Sequence, residues 1–457
     1  MKFSKTAVHC KTHGLPTLRF EDSRLTSFSG LVVIQMLFER LEIKEQLRRC
    51  FNHLKGSPIF GHATIVLCLV VHLLLGYRQL RDVRYYSDDP LVQRTLGLSR
   101  LPDVATLSRG LAGADEESVK RLHGLLRDRV VKRLATLGLR RVTLDFDGSV
   151  LGTGRFAEGT AVGFNRKKKG QRSYYPLFCT VAQTGQVLDV LHRSGNVHDS
   201  QGAKAFIFAS IATVRAALPG ICVEVRMDSA FFSDEIVGSL DAQGVEYTVS
   251  VPFERFAELK ARIEARRLWW PAGGGCAYFE AKWKPKVWTQ PHRFLFIRTR
   301  VKQQSKEPVQ LDFFIPHEYG YEFKVILTNK RLSARKVVAF HNGRGSQEGI
   351  FAELKSANQL GYVPTRTWVG NQIYLLSVLL AHNLGRELQM IAHPPSRATL
   401  EKRPAFWAFQ GLDTLRRRLI QRAGRLIRPQ GKLTLSLPAN PALQQELLHY
   451  VEALQGA

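Results

Sequence analysis

The sequence is short of acidic residues. Its 457 residues include 66 Lys and Arg but only 39 Asp and Glu, which leaves a formal net charge of +27. A charge of this size on a chain that is 44% hydrophobic and 10% aromatic points to a polyanionic partner, most simply nucleic acid. The alternative is a generally basic soluble protein whose charge serves only solubility.

Cysteines are also few, and long hydrophobic runs are missing. The six cysteines are scattered without a C-x-x-C pair, which argues against a disulfide framework or zinc ribbon and for a reducing cytosol. His9, Cys10 and His13 make only a weak zinc candidate. The longest apolar run, Ala63–Tyr77, falls short of the roughly 20 residues that span a bilayer. The polar, basic start lacks a signal peptide, so we expect a soluble cytoplasmic protein.

The pattern of apolar and polar residues changes several times along the chain. Residues 1–135 carry helical periodicity, which predicts a helical N-terminal region, and this region is a candidate for binding DNA ends. Residues 136–255 alternate strand and helix patterns, residues 256–322 look like a β-rich insertion, and residues 323–400 return to the α/β pattern. Residues 401–457 are expected to form a basic helical C-terminal region. The predicted fold class is therefore α/β, with a β-rich insertion between helical ends.

Two predicted strands in the α/β part end on aspartates. Apolar residues alternate with polar ones before Asp147, which predicts a half-buried strand. The segment Cys222–Asp228 alternates likewise, so Glu224 and Arg226 are expected on its outward face together with Asp228. A small residue follows each of Asp147 and Asp228, which lets the backbone turn and leaves the carboxylate accessible.

The segment His341–Lys355 is expected to form the opening of a single helix, which supplies a third carboxylate. At about 100° per residue, Arg344, Glu348 and Lys355 share one helix face, while Glu353 points the opposite way. One carboxylate between two cations suits a site where a metal ion meets a polyanion. The alternative is a solvated helix face with ordinary Glu–Arg pairing.

Carboxylates from three separate elements can together hold two Mg²⁺ ions about 3.5–4 Å apart, the arrangement used for in-line displacement at phosphorus. Asp147, Asp228 and Glu348 are the candidates. Asp145, on the same strand face as Asp147, is the main rival for the first position, and Asp199 is a weaker rival for the second. Isolated aspartates at strand ends more often cap turns or form ion pairs, so the joint pattern carries the hypothesis.

These motifs resemble those of a known family. The spacing His341-(2)-Arg344-(3)-Glu348-(6)-Lys355 is similar to the Tyr-(2)-Arg-(3)-Glu-(6)-Lys signature of cut-and-paste DDE transposases from bacterial insertion sequences. Asp-Gly-Ser at 147–149 and Met-Asp-Ser-Ala-Phe-Phe at 227–232 resemble that family's two Asp motifs, and residues 161–177 and 195–200 resemble the stretches between them. His341 stands where the signature has Tyr, and both side chains can donate a hydrogen bond.

The resemblance implies a ribonuclease H-like core with Asp147, Asp228 and Glu348 as the catalytic, metal-binding triad. It implies that Arg344 and Lys355 contact transposon-end DNA, with His341 beside them. It further implies two Mg²⁺ ions, which Mn²⁺ can replace, and double-stranded DNA partners at the element ends and target. A DNA-hairpin intermediate, a homodimer in the DNA complex and a nucleoid-associated bacterial protein are also expected. The alternatives are a ribonuclease H-like nuclease without strand transfer and a catalytically dead DNA-binding protein.

Two further features concern DNA contact. A basic run predicts a loop against phosphate, with a solvated loop as the alternative; it comprises Arg166, Lys167, Lys168 and Lys169, followed by Arg172. Four tryptophans of the expected insertion are candidates for stacking on unpaired bases. Aromatic residues in such an insertion more often belong to its core; these four are Trp269, Trp270, Trp283 and Trp288.

Overall fold

The computed structural model describes residues 18–55, 59–163, 165, 168–198, 201–300, 320–397 and 400–456. Its helices are α1 (Leu31–Arg40), α2 (Ile43–Phe51), α3 (His62–Leu75), α4 (Pro90–Leu96), α5 (Val104–Ala112), α6 (Glu116–Ala135), α7 (Ala203–Ala217), α8 (Asp234–Ala242), α9 (Ala257–Glu264), α10 (Ala334–Asn342), α11 (Gly345–Ser356), α12 (Trp368–Ala392), α13 (Leu412–Leu415) and α14 (Pro441–Gly456). Its strands are β1 (Leu25–Thr26), β2 (Arg141–Gly148), β3 (Leu151–Gly152), β4 (Ala161–Val162), β5 (Arg172–Tyr174), β6 (Leu177–Val181), β7 (Gln186–Leu191), β8 (Cys222–Met227), β9 (Glu246–Val251), β10 (Trp270–Gly273), β11 (Cys276–Trp283), β12 (His292–Arg300), β13 (Tyr321–Thr328), β14 (Gly424–Ile427) and β15 (Thr434–Ser436).

A mixed sheet of nine described strands organises the molecule, in the order β10-β11-β12-β13-β9-β8-β2-β6-β7. Strands β7, β6 and β2 are antiparallel neighbours, whereas β2, β8 and β9 run parallel. The helical segments α7 and α8 connect the parallel strands, as crossovers of this kind require. The carboxyl ends of β2, β8 and β9 therefore lie at one edge of the sheet.

The aromatic segment after residue 256 extends this same sheet. It begins with α9, and its strands β10, β11 and β12 are antiparallel. Strand β13 then pairs with both β12 and β9, so the segment and the parallel strands are hydrogen-bonded into one sheet. The described part of this segment contains strands as expected, and its residues 301–319 lie outside the described residues.

Two large hydrophobic cores lie on the two sides of this architecture. One core joins the N-terminal helices to α11 and α12 and to residues near the C-terminus. Helix α12 is its centre, because it is buried along most of its length and packs against α3, α5 and α6. The other core lies between the sheet and α7, α8 and α9, and includes the aromatic strands β11 and β12.

Strand β8 departs from the sequence-based expectation. Glu224 and Arg226 were expected to face outward, but both side chains are fully buried. The strand is covered on both faces, and ionic partners replace the lost water. Glu224 receives hydrogen bonds from Lys330 and Arg403, which hold its pKa at about 2 although burial alone would raise it. An alternating pattern of polar residues therefore predicts solvent exposure wrongly where charged side chains form ion pairs in the protein interior.

The C-terminal region is only partly helical, contrary to the expectation. Short α13 continues into a π-helical turn at Arg416–Ile420, and two strands follow before α14. These strands, β14 and β15, form a small sheet with β1 from near the other end of the chain. Among the described residues, no helix is long and apolar enough to cross a membrane.

Candidate functional site

Two of the three predicted carboxylates meet at the carboxyl edge of the sheet. Strands β2 and β8 pair in parallel, with Phe146 opposite Met227. Asp147 and Asp228 come next on each strand and therefore occupy neighbouring positions. Asp228 accepts a hydrogen bond from the backbone N–H of Ala230 at 3.0 Å, which fixes the turn that leaves the strand. Both carboxylates are half-buried.

The electrostatics of Asp147 reflect this proximity. Burial and the negative charge of Asp228 raise the pKa of Asp147 to about 6, although Arg344 opposes the shift. Arg344 donates from Nη1 to Oδ2 of Asp147 at 3.0 Å. Two carboxylates held this close favour a cation between them, because like charges raise the free energy of the doubly ionised pair.

Arg344 stands at the junction of two helices. Helix α10 ends at Asn342, Arg344 is the N-cap residue of α11, and Gly343 lies between the helices. The expected single helix opening is thus a break between two helices. A Cβ at Gly343 would lie 2.0 Å from the carbonyl oxygen of Lys402 and 2.2 Å from Nη1 of Arg226, so this close approach requires glycine.

His341 fixes the junction from beneath instead of facing solvent. Its side chain is 1% exposed, and its ring nitrogens lie 3.0 Å from Oγ1 of Thr248 and 2.9 Å from Oγ of Ser250, both on β9. Burial and the nearby cations, first among them Lys324, hold the pKa of His341 well below its usual range. The expected DNA contact by His341 does not fit this buried position.

Arg226, on β8, links the same junction to β2, and its role was not predicted from the sequence. It donates to Oδ2 of Asp145 at 2.7 Å, to the carbonyl of Phe340 at 3.1 Å and to the carbonyl of Lys402 at 2.8 Å. Burial raises the pKa of Asp145, and the paired Arg226 opposes that rise. Asp145 is thus occupied by a buried ion pair. A single Arg in an otherwise alternating strand gives no sequence signal of this role.

Helix α11 presents its two acidic residues in different directions, as its periodicity predicts. Glu348 is exposed near the start of the helix, and Lys355 is exposed near its end. Glu353 instead forms an ion pair with Arg386 and accepts a hydrogen bond from the backbone N–H of Leu412 at 3.0 Å. Glu353 therefore holds α11 against α12, and only Glu348 is available to the edge of the sheet.

Lys324 is a second residue that sequence reasoning missed. It lies on β13, which runs antiparallel to β9, so the start of β13 is at the same edge as Asp147 and Asp228. Burial, reinforced by Arg344, lowers the pKa of Lys324, while Glu348 opposes that change. A lone Lys inside an apolar strand was the available signal. The edge thus carries two neighbouring acids, Asp228 and Asp147, then two cations, Arg344 and Lys324, and then a third acid, Glu348.

The remaining predicted residues lie apart from this edge or outside the described chain. Lys168 and Lys169 are exposed, whereas Arg166, Lys167 and Asp199 lie outside the described residues, as do His9, Cys10 and His13. Three of the tryptophans belong to the core, being between 6% and 9% exposed, and only Trp270 is largely exposed, at 53%. The buried three are Trp269, Trp283 and Trp288.

The candidate metal ligands are carboxylate oxygens, which are hard, anionic donors of the kind that Mg²⁺ prefers. Within the part of the chain that the structure describes, no three His, Cys, Asp or Glu side chains converge closely enough to form a ready-made metal cage. Mg²⁺ usually takes one or two protein carboxylates and keeps several waters, so a divided set of acids suits it better than a cage does. The enforced proximity of Asp147 and Asp228 fits a divalent cation.

Comparisons with known proteins identify the family. The model of a family described as transposase DDE domain group 1 matches residues 15–457. Among solved structures, the chain is similar to piggyBac transposase in a cryo-EM structure of its synaptic complex with hairpin DNA. That similarity has 12% identity and a TM-score of 0.42, over 85% of this chain and 79% of the other. No curated protein matches the chain. The match over nearly the whole sequence shows that this chain belongs to the DDE transposases, which are DNA-cleaving, strand-transferring enzymes.

Proposed function

We propose that this protein binds the terminal inverted repeats of its own mobile element, cuts the DNA beside them and joins the ends to a target. The observation that carries the proposal is the meeting of Asp147 and Asp228 at adjacent strand ends, with Arg344 on Asp147. We further infer that strands β7, β6, β2, β8 and β9, with their flanking helices, form a ribonuclease H-like core. Their mixed pairing, with both aspartates at parallel strand ends, supports this inference.

Asp147, Asp228 and Glu348 are the residues that would hold the metal. DDE transposases use divalent metals, usually Mg²⁺, and we propose two Mg²⁺ ions here, with Mn²⁺ as a substitute. When bound, the ions activate the attacking water or 3′-hydroxyl and stabilise the leaving oxygen. Asp147 and Asp228 orient the site from rigid strands, and Glu348 approaches from the exposed face of α11.

The cations of the edge are proposed to hold the DNA backbone. Arg344 has a planar guanidinium suited to phosphate, and it is already fixed beside Asp147. Lys324 and Lys355 add positive charge on either side of Glu348. Lys168 and Lys169 are exposed and are proposed, together with Arg166 and Lys167, to contact phosphate from the loop after β4. We assign His341 a positioning role, because it anchors α10 to β9.

The finer expectations from the bacterial family remain part of the proposal. They include a DNA-hairpin intermediate, a homodimer in the DNA complex and an origin in a bacterial insertion sequence. Among the four candidate tryptophans, exposure favours Trp270 for stacking on an unpaired base. Its place on β10, at the end of the sheet, keeps one ring face available.

One experiment separates the proposal from its alternatives. Purified protein is incubated with labelled DNA from the ends of its element and Mg²⁺, and the products are resolved on denaturing gels. Nicks, hairpins and joined products are expected. Cleavage without joined products would instead indicate a ribonuclease H-like nuclease, and binding without any cleavage would indicate a catalytically dead DNA-binding protein.

A further inference from the structure

Positive charge also collects at the small sheet that joins the two ends of the chain. From Thr414 to Gln445 the sequence has seven Lys and Arg and no Asp or Glu. One of these, Arg416, is buried and donates to the carbonyl of Leu74 at 2.9 Å, so it serves the fold. Five others are exposed to solvent around β14 and its neighbours; they are Arg417, Arg418, Arg425, Arg428 and Lys432.

A groove of about 480 Å³ runs between this sheet and helix α4. Its three charged lining residues are Arg24, Arg94 and Arg428, and Pro90 and the apolar side chains of β14 complete it. We call it the terminal basic groove and define it by these three arginines. No acidic side chain lines it, and among the described residues neither Arg94 nor Arg428 has a carboxylate within ion-pairing distance. Arg24 pairs with Asp22 at 3.1 Å, so the excess of positive charge in the groove comes from Arg94 and Arg428.

The groove is held rigidly, which distinguishes it from a loose basic tail. Asp89 accepts from Oγ1 of Thr26 at 2.8 Å and from the backbone N–H of Ser27 at 3.0 Å, so it fastens the end of β1. The same carboxylate caps α4 by accepting from the N–H groups of Leu91 and Val92. Strand β1 and helix α4, which flank Arg24 and Arg94, are thus fixed to each other.

We propose that the terminal basic groove is a second DNA-binding surface, which holds duplex backbone away from the carboxylate edge. A duplex presents one negative charge per about 1.7 Å of its axis, which suits a groove in which arginines outnumber carboxylates. Apolar side chains in the groove suit the sugar faces between phosphates. The proposal rests on the proposed function, since it assigns a further part of the same DNA to this chain.

The test compares the double variant Arg94→Ala/Arg428→Ala with the wild-type full chain. Affinity for a labelled duplex of random sequence is measured without divalent metal over a series of salt concentrations. Two lost phosphate contacts should make the slope of log affinity against log salt shallower by about 1.8. The control is Arg48→Ala/Arg49→Ala on α2, since both of these exposed arginines already pair with Glu45. This control should leave the slope close to that of the wild type.

An unchanged slope in Arg94→Ala/Arg428→Ala overturns the proposal. A second outcome also overturns it: the wild type binds single-stranded RNA or phosphatidylglycerol vesicles more tightly than the duplex, and the double variant loses that preference. Asp147→Asn separates this proposal from the proposed function, because it should bind the duplex with the wild-type slope and fail to cut. If the wild type does not cleave DNA but Arg94→Ala/Arg428→Ala still makes the salt slope shallower, the result contradicts the proposed function and leaves the groove proposal standing.

Discussion

Arg344 and Asp147 join the α10–α11 junction to the end of β2 through a hydrogen bond of 3.0 Å between Nη1 and Oδ2. The bond connects residues nearly two hundred positions apart in sequence, and it places the helix that carries Glu348 beside the two aspartates. Arg226, Gln347 and His341 hold the same junction to β2, β8 and β9 from below. The candidate triad is therefore supported by a connected set of buried polar contacts.

The first prediction distinguishes the two aspartates of β2. Asp147→Asn should eliminate Mg²⁺-dependent cutting, because the amide keeps the shape but loses the charge that a metal needs. Asp145→Asn should lower activity only partly, because Asp145 lies behind the site and is paired with Arg226. Gel assays of cleavage by both variants provide the measurement. A fully active Asp147→Asn protein overturns the assignment, and thermal unfolding checks that both variants are folded.

The second prediction concerns helix α11. Glu348→Gln should abolish cleavage while DNA-end binding survives, since its carboxylate is exposed and forms no hydrogen bond or ion pair with the described residues that the amide would lose. Glu353→Gln is the matched control, with the same chemical change five residues along. It should lower stability by weakening the contact with Arg386, and retain cleavage at moderate temperature. Normal cleavage by Glu348→Gln together with a folded but inactive Glu353→Gln would reverse the assigned roles.

The third prediction follows from the raised pKa of Asp147. A metal binds the ionised carboxylate, so Mn²⁺ affinity measured calorimetrically should fall as the pH drops below about 6. Arg344→Ala should move this fall to higher pH, because Arg344 lowers the pKa of Asp147. Without metal, the folded protein holds this proton more tightly than the unfolded chain, so this group's stabilising contribution is lost as the pH rises from about 4 to about 6. A pH profile unaffected by Arg344→Ala contradicts this account.

The fourth prediction concerns the buried pair of Arg226 and Asp145. Arg226→Met leaves a buried carboxylate without its partner, which should cost about 3–5 kcal/mol of unfolding free energy. Adding Asp145→Leu should restore much of that stability, because removing both charges is often nearly neutral. Chemical denaturation of the single and double variants provides the measurement. If the double variant is as unstable as Arg226→Met, the ion pair is not the cause.

Sequence periodicity predicted most of the elements that carry the site. Strands β2 and β8 lie close to their expected positions, because each has a strong alternating apolar pattern. The opposite orientations of Glu348 and Glu353 likewise followed from helical geometry. Local sequence patterns are sufficient to predict an element and its side-chain orientation where the side-chain period alone decides which face is buried.

The rest depended on contacts between distant segments. No residue near Glu224 in the sequence indicates that it pairs with Lys330 and Arg403 in the interior. Likewise, no residue near Arg226 indicates that it pairs with the buried Asp145. The carbonyl oxygen of Lys402 approaches Gly343 so closely that a Cβ would not fit there, and no local pattern encodes this contact. The pairing of β1 with β14 joins segments some four hundred residues apart, so the C-terminal strands were read as helix.

Asp147, Asp228 and Glu348 are proposed to belong to one metal site. Iron-mediated cleavage of the protein tests it most directly: Fe²⁺ replaces Mg²⁺, ascorbate and peroxide generate radicals at the bound ion, and the fragments are mapped by mass spectrometry. We expect cuts near residues 147, 228 and 348 together. Excess Mg²⁺ and the Asp147→Asn substitution should each suppress these cuts. Cuts clustered elsewhere, or cuts near these residues that persist in Asp147→Asn, would contradict it.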